Sequence, residues 1–163
     1  MVVVLIIGIL AAVAVPQYQM AVWKSRFVQA KTLAKSIADA EEIYYLANGT
    51  YTNSFEELSI SLPATSFNDV YQKAYFNWGN CGLVKLDTGR AEVQCVLKKD
   101  GSEYLRYLLG YAHSTYSAGA AICIAHGKSA LPSTSDVNYQ ICKSDTQDPY
   151  PSVFGDYSYN WNY

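Results

Sequence analysis

The chain has 163 residues, a formal net charge of -2 and 12 Lys and Arg residues scattered along its length. That length fits one domain with a single core and leaves little room for a second. Without a basic stripe to neutralise phosphates, nucleic acid is not an expected partner.

Half of the residues are hydrophobic, and their distribution is uneven: the first 23 carry no charge, whereas the remainder has the composition of an ordinary polar domain. Residues 1–15, MVVVLIIGILAAVAV, are apolar throughout, and charge first appears at Lys24. As a helix, such a segment spans roughly 35 Å, enough for a bilayer core of about 30 Å. Membrane insertion is expected. A secretory signal peptide is one alternative, with Ala12-Val13-Ala14 as the cleavage signature, but no basic n-region precedes the apolar run. A plain single-span anchor is the other. Gly8 and Pro16 sit inside the run, and Pro costs about 3 kcal/mol in a helix interior, a weak point from which an anchor gains nothing.

The helical pattern continues beyond the apolar run. Trp23, Phe27, Ala30, Ala34, Ile37, Tyr44 and Ala47 recur at spacings of three, four and seven, while Lys24, Lys31, Lys35, Asp39 and Glu42 take other faces. One long helix over residues 1–47 is predicted, roughly 70 Å in length. Residues 1–23 form its apolar half, to be buried in lipid or in a bundle of identical helices. Residues 24–47 form its amphipathic half, which lies on a globular head of residues 48–163.

The string MVVVLIIGILAAVAVPQYQMAV resembles the N-terminal segment of type IV pilins and pseudopilins, from inside the hydrophobic block through its glycine, its proline and the Pro-Gln-Tyr that follows. The stretch AEEIYYLANGTY, residues 40–51, with Leu58 following, is similar to the helix end and first turn of many pilins. Together they cover about the first third of the chain. In the family, the mature chain opens on an apolar hexapeptide that contains a glutamate, after a short basic leader ending in glycine. Here the glutamate would fall two positions before Met1, and a clipped or misassigned start is expected.

The resemblance implies a structural subunit of an extracellular type IV pilus-like filament; some pseudopilins hold calcium in a C-terminal loop, but from this chain's own residues no catalytic residue, cofactor or metal is expected here. It implies a homo-oligomeric partner in a helical array, an inner-membrane pool before assembly, pilus or secretion assembly machinery, and a prepilin peptidase. Lys24 and Arg26 by themselves would orient the head to the cytoplasm, whereas the family places it outside. The resemblance further implies that the helix between Gly8 and Pro16 loses helicity when subunits leave the membrane. Residue preferences agree, since Gly and Pro are the poorest helix formers. A major pilin is the expected function, with a minor pilin or type II secretion pseudopilin as the alternative. From other classes, a membrane-anchored extracellular binding module and a secreted enzyme are kept.

In the head, Asn48-Gly49 ends the helix. A short helical turn is predicted over residues 54–58, capped by Ser54 with Glu56 and Glu57 in its first turn. Strands are predicted at 74–78, 81–86, 91–97, 104–111 and 120–126, with turns at Asp87-Thr88-Gly89 and Asp100-Gly101. The expected fold class is α+β, a long N-terminal α-helix packed on a mainly antiparallel β-sheet.

Cys81, Cys95, Cys123 and Cys142 lie in the polar part without a C-x-x-C pair, which suits two disulfides formed outside the cytosol rather than four buried thiols. Four cysteines allow three pairings; Cys81–Cys95 and Cys123–Cys142 are expected, since each closes a short loop between strand-like segments. The second would tie down a segment rich in Ser, Thr and Asn with little apolar content.

Other candidates have plainer explanations. His126 stands near Cys123 but lacks a second paired motif for zinc. Asp145, Asp148 and Asp156 do not form the alternating pattern of a calcium loop. Asn48-Gly49-Thr50 matches a glycosylation acceptor, and a helix-capping turn explains the same residues. Among the 15 tyrosines, those of the tail over residues 156–163 alternate with small polar residues as in a half-buried strand, which is favoured over an adhesive or electron-carrying surface. No glycine-flanked serine, His/Asp arrangement or phosphate loop points to catalysis.

Overall fold

The computed structural model describes residues 2–68, 72–86, 88–115, 118–127, 133–146 and 152–154. A 47-residue helix, α1 (Val2–Asn48), runs without interruption through Gly8 and Pro16. It ends where Gly49 takes a φ of 72° and donates its N–H to the Tyr45 carbonyl at 2.7 Å, a left-handed cap that glycine adopts without steric cost. A 3₁₀ turn, Phe55–Glu57, follows, with the Ser54 hydroxyl accepting from the Glu56 N–H.

Seven strands then form one sheet in chain order: β1 (Ser66–Asn68), β2 (Lys73–Phe76), β3 (Gly79–Lys85), β4 (Ala91–Lys99), β5 (Ser102–Gly110), β6 (Ala121–His126) and β7 (Ser152–Phe154). The first six pair antiparallel, and β7 pairs parallel to β6. A helix, α2 (Val137–Thr146), stands between β6 and β7 in the chain. The α+β class, with a long N-terminal helix on a mainly antiparallel sheet, is therefore the observed fold.

Local chemistry accounts for the meander. Asp100 and Gly101, with φ of 52° and 79°, make the two-residue connection between β4 and β5, both in the left-handed region that a tight hairpin turn requires. At the start of β3 a Cβ on Gly79 would meet the Val96 carbonyl oxygen at 1.9 Å, so the close passage beside β4 excludes any side chain.

One face of the sheet receives the second half of α1. Trp23, Phe27, Ala30, Ala34, Ile37, Ala38 and Glu41 are buried along the helix, against Leu83, Val93, Leu97, Leu105 and Tyr107 from the sheet. The three alanines keep the helix axis close to the strands, and the two outer aromatics fill the wider end. Val96, Leu108 and Ile124 alternate onto the opposite face.

The structure departs from the sequence-based expectation at four places. Tyr44 is only half-buried and Ala47 is exposed; Ala38 and Glu41 take the buried line instead. A seven-residue repeat drifts by about 20° per heptad on a straight helix, so along Trp23, Ala30, Ile37 and Tyr44 the drift reaches about 60° and carries Tyr44 to the edge of the face. The Ser-, Thr- and Asn-rich segment closed by Cys142, for which no element was predicted, contains α2, which buries Asn138, Tyr139, Ile141 and Cys142. Strands β1 and β7 were not predicted. Of the predicted turn residues, Asp87 lies outside the described residues, as do Asp148 and Asp156 and the tail over residues 156–163.

Both disulfides join the expected cysteines. Cys81 and Cys95 face each other directly across β3 and β4, their Cα atoms 4.0 Å apart. Cys123–Cys142 fastens α2 to β6, with Cα atoms 5.3 Å apart.

Candidate assembly surface

The helix α1 has two environments. From Val3 to Tyr18 the large apolar side chains whose burial is described are exposed, from 51% at Ile6 to 74% at Val4. Val3, Val4, Ile6, Ile7, Ile9, Leu10, Val13 and Val15 cover about two thirds of the circumference and the uncharged Gly8, Ala12 and Pro16 the rest, so the helix has no polar face to turn outward here. Burying an aliphatic side chain is worth about 1.5–3 kcal/mol, so the set represents on the order of 10 kcal/mol still to be gained. By length and composition this helix is apolar enough to cross a membrane.

Two positions weaken the exposed half. Pro16 has no N–H to give to the carbonyl of Ala12, four residues earlier. Gly8 has open space where a Cβ would stand, so close packing within the chain does not explain glycine there. The structure therefore keeps Gly8 and Pro16 helical and leaves both outside the head.

The head first meets the helix at Met20, and Trp23 is the first fully packed residue. The Trp23 ring lies 4.7 Å from Tyr104, with the Arg26 guanidinium 4.9 Å from the Trp23 ring centre. Phe27 meets Tyr107 edge-on at 5.9 Å. Lys31 pairs with Asp145 of α2 and stands 5.6 Å from the Tyr107 ring, binding both helices to one strand. These contacts fix the direction in which the apolar half leaves the head.

Beside the packed half runs an open, mainly apolar groove of about 490 Å³, lined on the helix by Val28, Thr32 and Leu33 and on the head by Pro63, Phe76 and Trp78. The Thr32 and Ser36 hydroxyls donate back to helix carbonyls at 3.0 and 3.1 Å, so this flank presents little unsatisfied polarity.

At its far end α1 meets a polar cluster. Glu41 is fully buried; its Oε2 accepts the Thr52 N–H at 3.1 Å, and its Oε1 has no hydrogen-bond partner among the described residues. Burial pushes the Glu41 carboxyl up to about 7, against the Thr52 hydrogen bond and Lys85, which favour the anion. Glu42 accepts from the Tyr51 hydroxyl at 2.9 Å and from the Ala112 N–H at 2.7 Å. His113 donates its N–H to the same hydroxyl at 3.0 Å and stacks on Tyr45 at 4.3 Å. Burial raises the Tyr51 and Tyr111 hydroxyls above the ordinary tyrosine range.

The remaining candidates are dispersed. Cys123 spends its sulfur on Cys142, which removes it as a zinc ligand beside His126. His126 instead stands 3.6 Å from Glu103, and among the described residues no three His, Cys, Asp or Glu come together as metal ligands. Asp145 holds Lys31. Asn48 is exposed and donates its amide to the Tyr44 carbonyl at 2.9 Å, as a helix-ending residue does. Sequence reasoning missed Glu41 as a buried group, because a glutamate reads as solvent-facing until the Thr52 N–H is seen bonded to it. The groove beside Val28 was also missed, since it is assembled from residues distant in sequence.

Comparison with protein-family models, curated proteins and solved structures gives no match to this chain.

Proposed function

We propose that this chain is a major pilin-type subunit of an extracellular type IV pilus-like filament. The observation that carries the proposal is a single continuous helix with two environments, one half packed on the head and the other exposed, apolar and without charge. Such a helix exchanges one apolar solvent for another: bilayer before assembly, a bundle of identical helices afterwards. The sequence resemblance over residues 1–22 and 40–51 supports the same reading. Gly8 and Pro16 bound the stretch where the helix opens most easily during that exchange. The role is structural rather than enzymatic. A minor pilin or secretion pseudopilin would use the same helix in fewer copies.

Both native disulfides are formed, so a cysteine introduced into the apolar half supplies a free thiol without competition from Cys81, Cys95, Cys123 or Cys142. Leu10→Cys, at a position 65% exposed in the single chain, is expected to give disulfide-linked dimers on mild oxidation of filaments sheared from cells, one introduced thiol per chain allowing no larger covalent product. Monomer alone under those conditions contradicts the proposal.

A further inference from the structure

Glu41 is a fully buried carboxyl whose surroundings suit it better neutral than charged. Its Oε2 is held by the Thr52 N–H, and its Oε1 and the buried Tyr111 hydroxyl are each without a hydrogen-bond partner among the described residues. The groups facing it come from every packed element. From α1 come Glu42 and the Tyr44 hydroxyl, from the segment after α1 Glu57, from β3 Lys85, and from the residue after β5 Tyr111. One step further out, Glu92 of β4, paired with Arg90, and Tyr51 act on Tyr111, and His113 stands 3.5 Å from Glu42. Lys85 is committed to the segment itself, donating to the Thr50 hydroxyl at 3.0 Å and to the Tyr51 carbonyl at 2.7 Å. Glu57, bonded to the Thr52 hydroxyl, and Glu42 add negative charge on both sides.

We propose that Glu41 is a proton-operated latch: its neutral carboxyl seats residues 50–58 against the end of α1, and its ionisation releases that segment so that the carboxylate reaches water. Residues 50–58 have no strand pairing of their own. They are held by Glu41, by Lys85, by the Tyr51 hydroxyl network and by burial of Tyr51, Phe55 and Leu58. Opening them therefore exposes Glu41 without breaking the sheet, and the latch acts on the head independently of how the apolar half assembles.

The sign follows from the carboxyl, raised from 4.5 to about 7 in the closed head. Between those values the closed form holds the proton that the open form gives up. Closure is thus strongest below 4.5, weakens as pH rises through that window and is constant above it.

The test is backbone hydrogen exchange of the full chain in detergent, corrected for intrinsic rates. From pH 5.5 to pH 8 the opening of residues 52–58 is expected to increase roughly 25-fold by linkage, with the amides of β4 and β5 unchanged. Glu41→Gln should abolish the dependence, and Asp39→Asn on the exposed face should retain it. A flat wild-type profile, a profile that survives Glu41→Gln, or an equal acceleration across β4 and β5 overturns the proposal. If Glu41→Gln does not fold, carboxyl carbon-13 titration of the wild type decides: a midpoint near 7 supports the latch, and one near the ordinary glutamate value overturns it.

Discussion

A chain lacking residues 1–19 is expected to be a folded, disulfide-bonded monomer that needs no detergent, whereas the full chain requires detergent or self-association. The cut belongs at residue 19 because Met20 packs against the core and the Trp23 ring lies tilted against Tyr104; removing them opens that end of the head. None of the residues before Met20 whose burial is described contributes to that core. The deletion removes the exposed aliphatic set from Val3 to Val15 and with it on the order of 10 kcal/mol of association energy. Sedimentation in aqueous buffer checks the result. Sedimentation of the truncated chain as a multimer would move the assembly surface into the head, and loss of its folded state would show that the apolar half stabilises the head.

Phe27→Ala should destabilise the head by about 3–5 kcal/mol, the cost of emptying a buried aromatic site, whereas Val28→Ala next to it should stay within about 0.5 kcal/mol. Phe27 is 2% exposed and meets Tyr107 edge-on. Tyr107 in turn lies beside Lys31, which holds α2 through Asp145, so the cavity opens where both helices meet β5. Val28 is 60% exposed and lines the outer groove. Thermal unfolding in detergent should show a Tm drop of roughly 10 °C or more for the first variant and almost none for the second. Equal effects at the two positions would mean that the helix sits on the sheet in a different rotation.

Much of this arrangement was legible because it rests on short-range periodicity. Trp23, Phe27, Ala30, Ala34 and Ile37 mark the buried face of α1, and their spacing alone identifies it. Gly49 marks the helix end and Asp100-Gly101 the hairpin, each because few residues accept the backbone angles required. The disulfides follow the shorter loops, as expected. What escaped depends on contacts that periodicity does not encode. Glutamate at position 41 reads as a solvent-facing residue until Thr52 and Tyr111 fold over it. In α2, Tyr139, Ile141 and Cys142 are buried among polar neighbours, so its helical face becomes visible only when Cys142 is fixed to β6. Strand β1 exists through its pairing with β2 rather than through any pattern in Ser66-Phe67-Asn68.

The most direct test of assembly through the apolar half is cryo-electron microscopy of filaments sheared from cells that produce this chain. A helical array is expected, with this chain traced in the density, residues 2–23 packed against their copies at the axis and helicity lost between Gly8 and Pro16. Filaments that trace to a different chain, or density that places residues 2–23 on the outer surface, would contradict it.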